Sequence, residues 1–193
     1  QEVLLRDARK SLHRIAEHTK GKDALIFVGV PLAIDGELYN VAAALHRGEI
    51  LGLTTKTFLP NYGEFYEMRQ FTPGPETART IIVNCSASDE TIGKAAYRTS
   101  LIEGQSARLI CGYVYANAGE GESTTDVVFG GHNIIAENGT TLAAAKRFQN
   151  DVIYTEIDVK RLDSERRKNT TFQPAKDRFL IRVPFSLEEE ETR

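Results

Sequence analysis

The run Ala24-Leu-Ile-Phe-Val-Gly-Val30 is apolar at every position and ends after seven residues. A half-exposed strand alternates in polarity, whereas a strand covered on both faces reads as a short continuous apolar run. This segment therefore demands packing layers above and below a sheet. A covering element precedes it: residues 2 to 19 set Leu5, Ala8, Leu12, Ile15 and Ala16 at helical spacing, and Gly21 supplies a stop just past the last turn. His13 and His18 on this helix are flanked by charged residues and read as solvated surface.

The layered pattern continues along the chain. Tyr39 to His46 and Glu49 to Thr55 are apolar-rich runs separated by Arg47-Gly48, a two-residue hairpin signal. A loop rich in proline and aromatic residues runs to Pro75, followed by a strand at Thr80 to Asn84 and a helix from about Glu90 to Glu103, with Ser88 or Asp89 as its N-cap. Strands are predicted at Ala107 to Ala116, Asp126 to Gly130, Asn133 to Ala136 and Asp151 to Val159, with turns at Gly119-Glu-Gly121, Gly130-Gly131 and Asn138-Gly139. A charged helix at Arg161 to Asn169 and a strand at Phe179 to Val183 follow. No internal repeat is found. The expectation is one α/β domain over residues 1–186, with helices layered on mixed sheets, and an acidic linker or disordered tail over 187–193.

Composition excludes several function classes. With 24 Lys+Arg against 27 Asp+Glu and no basic block, nothing neutralises a run of phosphates, so no nucleic-acid partner is expected. No apolar run approaches the roughly 20 residues that cross a bilayer, so no membrane partner is expected and a cytoplasmic location is. The two cysteines, Cys85 and Cys111, lie in apolar strand-like runs, which suits a reducing compartment and inert thiols. Four scattered histidines offer no zinc spacing, and no metal is expected.

Three clusters carry the chemistry. In Lys56-Thr-Phe-Leu-Pro-Asn-Tyr-Gly-Glu-Phe-Tyr-Glu67, Pro60 stiffens the chain and Gly63 permits a tight bend, so that Glu64 or Glu67 can fold back onto Lys56. A lysine held in this way can stabilise a developing oxyanion or pass a proton to a leaving amine; the alternative is a solvated surface lysine. In Val83-Asn-Cys-Ser-Ala-Ser-Asp-Glu-Thr-Ile-Gly-Lys94, hydroxyl residues meet a helix start that attracts carboxylates, although an N-capping serine is equally ordinary there. In Thr124 to Gly139, Gly130-Gly131 forms a backbone bend, and His132 is either a base or a polar turn residue.

These clusters resemble the amidase domain of glutamine-dependent NAD synthetases, a branch of the nitrilase-like carbon-nitrogen hydrolases. The likeness rests on KTFLPNYGEFYEMRQF from Lys56 to Phe71, VNCSASDETIGKAAYR from Val83 to Arg98, and STTDVVFGGHNIIAENG from Ser123 to Gly139. The resemblance implies a four-layer α-β-β-α sandwich and a Glu-Lys-Cys catalytic set, in which a thiolate attacks the glutamine side-chain amide. Ammonia would then pass to a synthetase domain that amidates deamido-NAD with ATP and Mg; no cofactor is implied for the amidase domain itself. By the same resemblance Lys56 matches the catalytic lysine and Glu64 the glutamate beside it. Tyr62, Ser88 and Lys94 fall where the family contacts glutamine, and Lys94 replaces a frequent arginine. A homo-oligomer is likewise implied.

The sequence also departs from the family pattern. The family's base glutamate precedes the helix with which this sequence opens, and its nucleophile falls between positions equivalent to Gly74 and Ala78, where this chain reads Pro75-Glu-Thr. Cys85 aligns after that strand and is not assigned the nucleophile's role. Segments of a longer parent enzyme are therefore expected to be absent from this sequence. The alternatives are an inactive nitrilase-fold scaffold or binding module, and a free-standing amidase acting on another small amide.

Overall fold

The computed structural model describes residues 2–34, 37–56, 80–122, 126–169 and 183–187. The chain divides into two compact units, Gln1–Glu76 with Asp177–Arg193, and Thr77–Lys176.

In the first unit, α1 (Glu2–His18) packs on a meander of β1 (Ile26–Ile34), β2 (Glu37–His46) and β3 (Glu49–Thr55), all antiparallel. Val30 pairs with Val41 and Ile26 with Leu45. Alternation along β2 sends Val41, Ala43 and Leu45 to one face, where they meet Leu12 and Ala16 of α1 and close the core. Ile15, expected on the packed face, is instead exposed, because the inward stripe runs through Ala8, Leu12 and Ala16 at four-residue spacing. The expected hairpin turn is present, with Arg47 and Gly48 both at positive φ. Buried Thr19 donates to the Ala16 carbonyl at the end of α1 and accepts from Gly48 N at 2.7 Å, so the turn is tied to the helix terminus.

In the second unit the sheet order is β4 (Ile81–Ser86), β5 (Gly112–Asn117), β6 (Ile134–Glu137), β7 (Thr140–Ala144). β4 and β5 run parallel, joined by α2 (Lys94–Leu109); the remaining pairs are antiparallel. Ile102 from α2 packs against Tyr115, Ile134 and Ala136. The Asn138-Gly139 turn joins β6 to β7 as expected, and its Gly139 N donates to Ser106 Oγ of α2 at 2.8 Å. α3 (Val159–Lys168) begins at Asp158, whose carboxylate accepts from Arg161 N at 2.8 Å. Arg166 of α3 donates to the Leu109 carbonyl at the end of α2.

Several expected elements differ. The helix expected from Glu90 begins at Lys94, because Gly93 takes φ 81 and no side chain caps the first turn; neither Ser88 nor Asp89 is its N-cap. Ala107 to Leu109 remain in α2, which ends in a Schellman-type turn with Ile110 at φ 47 and Cys111 N donating to the Ser106 carbonyl. Residues 126–130 make one isolated bridge, Asp89 to Phe129, and Gly131 at φ 60 turns the chain before a ladder can form. Residues 151–158 have no strand partner among the described residues, and Val152 and Tyr154 are exposed. The expected strand at Phe179 to Val183 lies outside the described residues up to 182, and 183–187 are irregular.

Candidate functional site

The carboxyl ends of β4 and β5 carry a dense polar network. After Ser86 the chain leaves the sheet, and its next residues are held from three sides. Ser88 N donates to Asn117 Oδ1 at 2.8 Å, and Asn117 Nδ2 returns a bond to the Ser88 carbonyl at 3.0 Å. Glu90 N donates to the Val128 carbonyl at 2.7 Å. Asn117 is itself fixed, its backbone N donating to Asn133 Oδ1 at 2.8 Å.

The third hold is Arg98, one turn into α2 and only 4% exposed. Its Nη2 donates to the Asp89 carbonyl at 3.0 Å and to Ser88 Oγ at 3.3 Å; its Nη1 donates to Glu90 Oε1 at 2.6 Å and to His132 Nδ1 at 3.0 Å. Asp89, also buried, pairs through its carboxylate with Lys94 Nζ. Glu90 Oε2 is buried without a hydrogen-bond partner and stands 3.8 Å from Arg147 Nη1. Burial and the Arg98 charge hold the His132 pKa below its ordinary value, with Glu90 opposing. His132 is thus a neutral acceptor in the turn after Gly131, in keeping with the structural of the two roles open to it.

Gly130 makes this packing possible. A Cβ there would stand 2.7 Å from Glu90 Cγ, so only glycine allows the 130–131 bend to lie against the glutamate.

Of the residues singled out from sequence, Ser88, Lys94 and His132 are brought into this one cluster. Lys56 lies in the first unit immediately after β3, where its backbone N donates to the Asn40 carbonyl at 2.8 Å. Tyr62, Glu64 and the Pro75-Glu-Thr segment lie outside the described residues. Sequence reasoning missed Arg98, Glu90 and Asp89. Arg98 had a signal, since it stands four and eight residues before the buried Ile102 and Ser106 on the same helix face. Neither cysteine is activated: burial raises the Cys85 pKa and carries that of Cys111 to about 11, so both are held as thiols near neutral pH. No three His, Cys, Asp or Glu side chains among the described residues gather as a metal site.

No protein-family model matches the chain. The glutamine-dependent NAD(+) synthetase of Mycobacterium tuberculosis is 35% identical over 208 residues, covering 80% of this chain. The chain belongs to the glutamine-dependent NAD(+) synthetase family. It spans 31% of that relative's length. The aligned span is longer than all 193 residues of this chain while covering only part of it, so the family member carries, inside that span, residues with no counterpart here. A solved glutamine-dependent NAD(+) synthetase from Cytophaga hutchinsonii superposes with TM-score 0.67 at 26% identity, over 76% of this chain and 31% of that one. A carbon-nitrogen hydrolase from Helicobacter pylori superposes with TM-score 0.69 at 15% identity, over 86% and 73% of the two chains, a likeness of fold alone. The synthetase from Cytophaga hutchinsonii and the carbon-nitrogen hydrolase thus share with this chain the nitrilase-like α/β fold expected from its motifs. Among the described residues no helix is long and apolar enough to cross a membrane.

Proposed function

We propose that the chain is the glutamine-hydrolysing part of a glutamine-dependent NAD synthetase, releasing ammonia from the glutamine side chain for a synthetase domain that uses ATP and Mg to amidate deamido-NAD. The observation that carries this reading is the 35% identity over 80% of the chain to a protein named for glutamine-dependent NAD synthesis. Lys56 would steady the oxyanion or protonate the leaving amine, with Glu64 orienting it, while Tyr62, Ser88 and Lys94 bind glutamine. The nucleophilic thiol would come from residues that the family carries and this sequence lacks, since the aligned span of the relative holds residues with no counterpart here. The amidase part needs no cofactor, and the assembly is a cytoplasmic homo-oligomer.

The test uses the full-length protein supplied with deamido-NAD, ATP and either amide-15N-glutamine or 15N-ammonium. Wild type is expected to place label in NAD from both. Lys56→Ala should lose at least about 100-fold from glutamine and nothing from ammonium. Retained glutaminase activity in Lys56→Ala sinks the role given to Lys56. Synthesis from ammonium alone by wild type sinks the amidotransferase reading and leaves a non-catalytic nitrilase-fold module. Ammonia released from other amides with no transfer to nucleotide would make it a free-standing amidase.

A further inference from the structure

Resting on the glutamine-site reading above, we propose that Arg98 is the positioning residue of that site, one buried guanidinium holding Ser88 directly and Lys94 through Asp89. Both Nη atoms of Arg98 are committed to protein acceptors, and its Nε is buried without a hydrogen-bond partner, so the fork of the guanidinium is spent on the protein rather than offered to a ligand. What it organises are the two residues assigned to glutamine. Nη2 bridges Ser88 Oγ and the Asp89 carbonyl, and the Asp89 carboxylate pairs with the Lys94 ammonium.

Residues 87–93 have little else to define their shape. They carry one isolated bridge and no ladder, and α2 starts after a left-handed Gly93 without a side-chain cap. Asn117 fixes the backbone of Ser88, and Val128 that of Glu90; the Ser88 hydroxyl and the Asp89 carbonyl are held by Arg98. Glu90 and His132 stand on the far nitrogen, so the guanidinium plane is fixed from both ends. A lysine at 98 keeps the charge but has no planar fork with which to span these acceptors.

In the full-length protein, Arg98→Lys should raise the glutamine KM about tenfold or more while kcat at saturating glutamine changes much less and ammonium-dependent synthesis is untouched. Arg98→Lys combined with Ser88→Ala should fall well short of additivity. An unchanged glutamine KM in Arg98→Lys overturns the proposal, as does equal loss with glutamine and ammonium, which marks a merely structural residue. Amide hydrogen exchange gives a readout independent of activity. Arg98→Lys should lose protection at Ser88 and Glu90 while Ile102 to Leu109 keep theirs, and retained protection at Ser88 and Glu90 overturns the positioning. If wild type makes no NAD from glutamine, the reading of the site fails, while the exchange experiment still decides what Arg98 does to the loop.

Discussion

Arg98 Nη1 lies 3.0 Å from His132 Nδ1, and since a guanidinium only donates, the imidazole must accept. The ring is therefore neutral with its proton on Nε2. Protonating it would place a second cation beside Arg98 and remove the acceptor on which Arg98 leans.

A pH dependence follows with a definite sign. The His132 pKa is held below its ordinary value, so the unfolded chain binds this proton more readily than the folded one. Its contribution to stability is complete above about pH 6.5 and is lost as the pH falls through the lower folded pKa. Arg98, Glu90 and Arg147 face the ring, and burial with the two arginines outweighs the glutamate. Thermal unfolding followed from pH 8 to pH 5 should show an acid-side fall in wild type that is shallower in His132→Asn. Equal slopes would mean that the imidazole is not the group responsible.

Glu90 and Arg98 form a buried pair, with side chains 5% and 4% exposed. Glu90→Ala strands the guanidinium away from water and should cost about 3–5 kcal/mol in chemical denaturation, the range for breaking one half of such a pair. Glu90→Ala with Arg98→Leu should cost clearly less than the sum of the two single changes. Strict additivity would show that the pair is not coupled.

Two glycines should respond to alanine in opposite directions. Gly48 sits at φ 94, and a Cβ there would meet Lys20 Cγ at 2.6 Å. The lysine can swing away but the backbone cannot relax, so Gly48→Ala should cost about 1–2 kcal/mol. Gly104 is inside α2 with nothing within 4 Å, and Gly104→Ala should gain about 0.5–1 kcal/mol. Urea unfolding of both variants checks the pair, and destabilisation by Gly104→Ala would contradict the open space seen beside α2.

Both hairpin turns were legible in the sequence because Arg47-Gly48 and Asn138-Gly139 end in glycines at φ 94 and 91, which a tight turn rewards and a strand does not. The segments 126–130 and 151–158 misled for a tertiary reason. Their apolar residues satisfy the periodicity of a strand, yet among the described residues no neighbouring strand completes a ladder with them. The start of α2 was placed early because Ser88 and Asp89 are excellent caps by type, while in the fold they are held by Asn117, Lys94 and Arg98 instead. Ser88 and Lys94 were found through a family motif, but the guanidinium between them was not. An arginine in a helix is usually solvated, and only its spacing from Ile102 and Ser106 marked it as inward-facing.

The two sheets set different schedules for folding. β1, β2 and β3 each pair with the strand next to them in the chain, so the meander closes through short loops and can form soon after Thr55 leaves the ribosome. β4 pairs in parallel with β5 across the whole of α2, a longer loop with a larger closure entropy. Until Asn117 has been synthesised, that edge of β4 has no native partner, and it is there that two nascent copies would join each other instead.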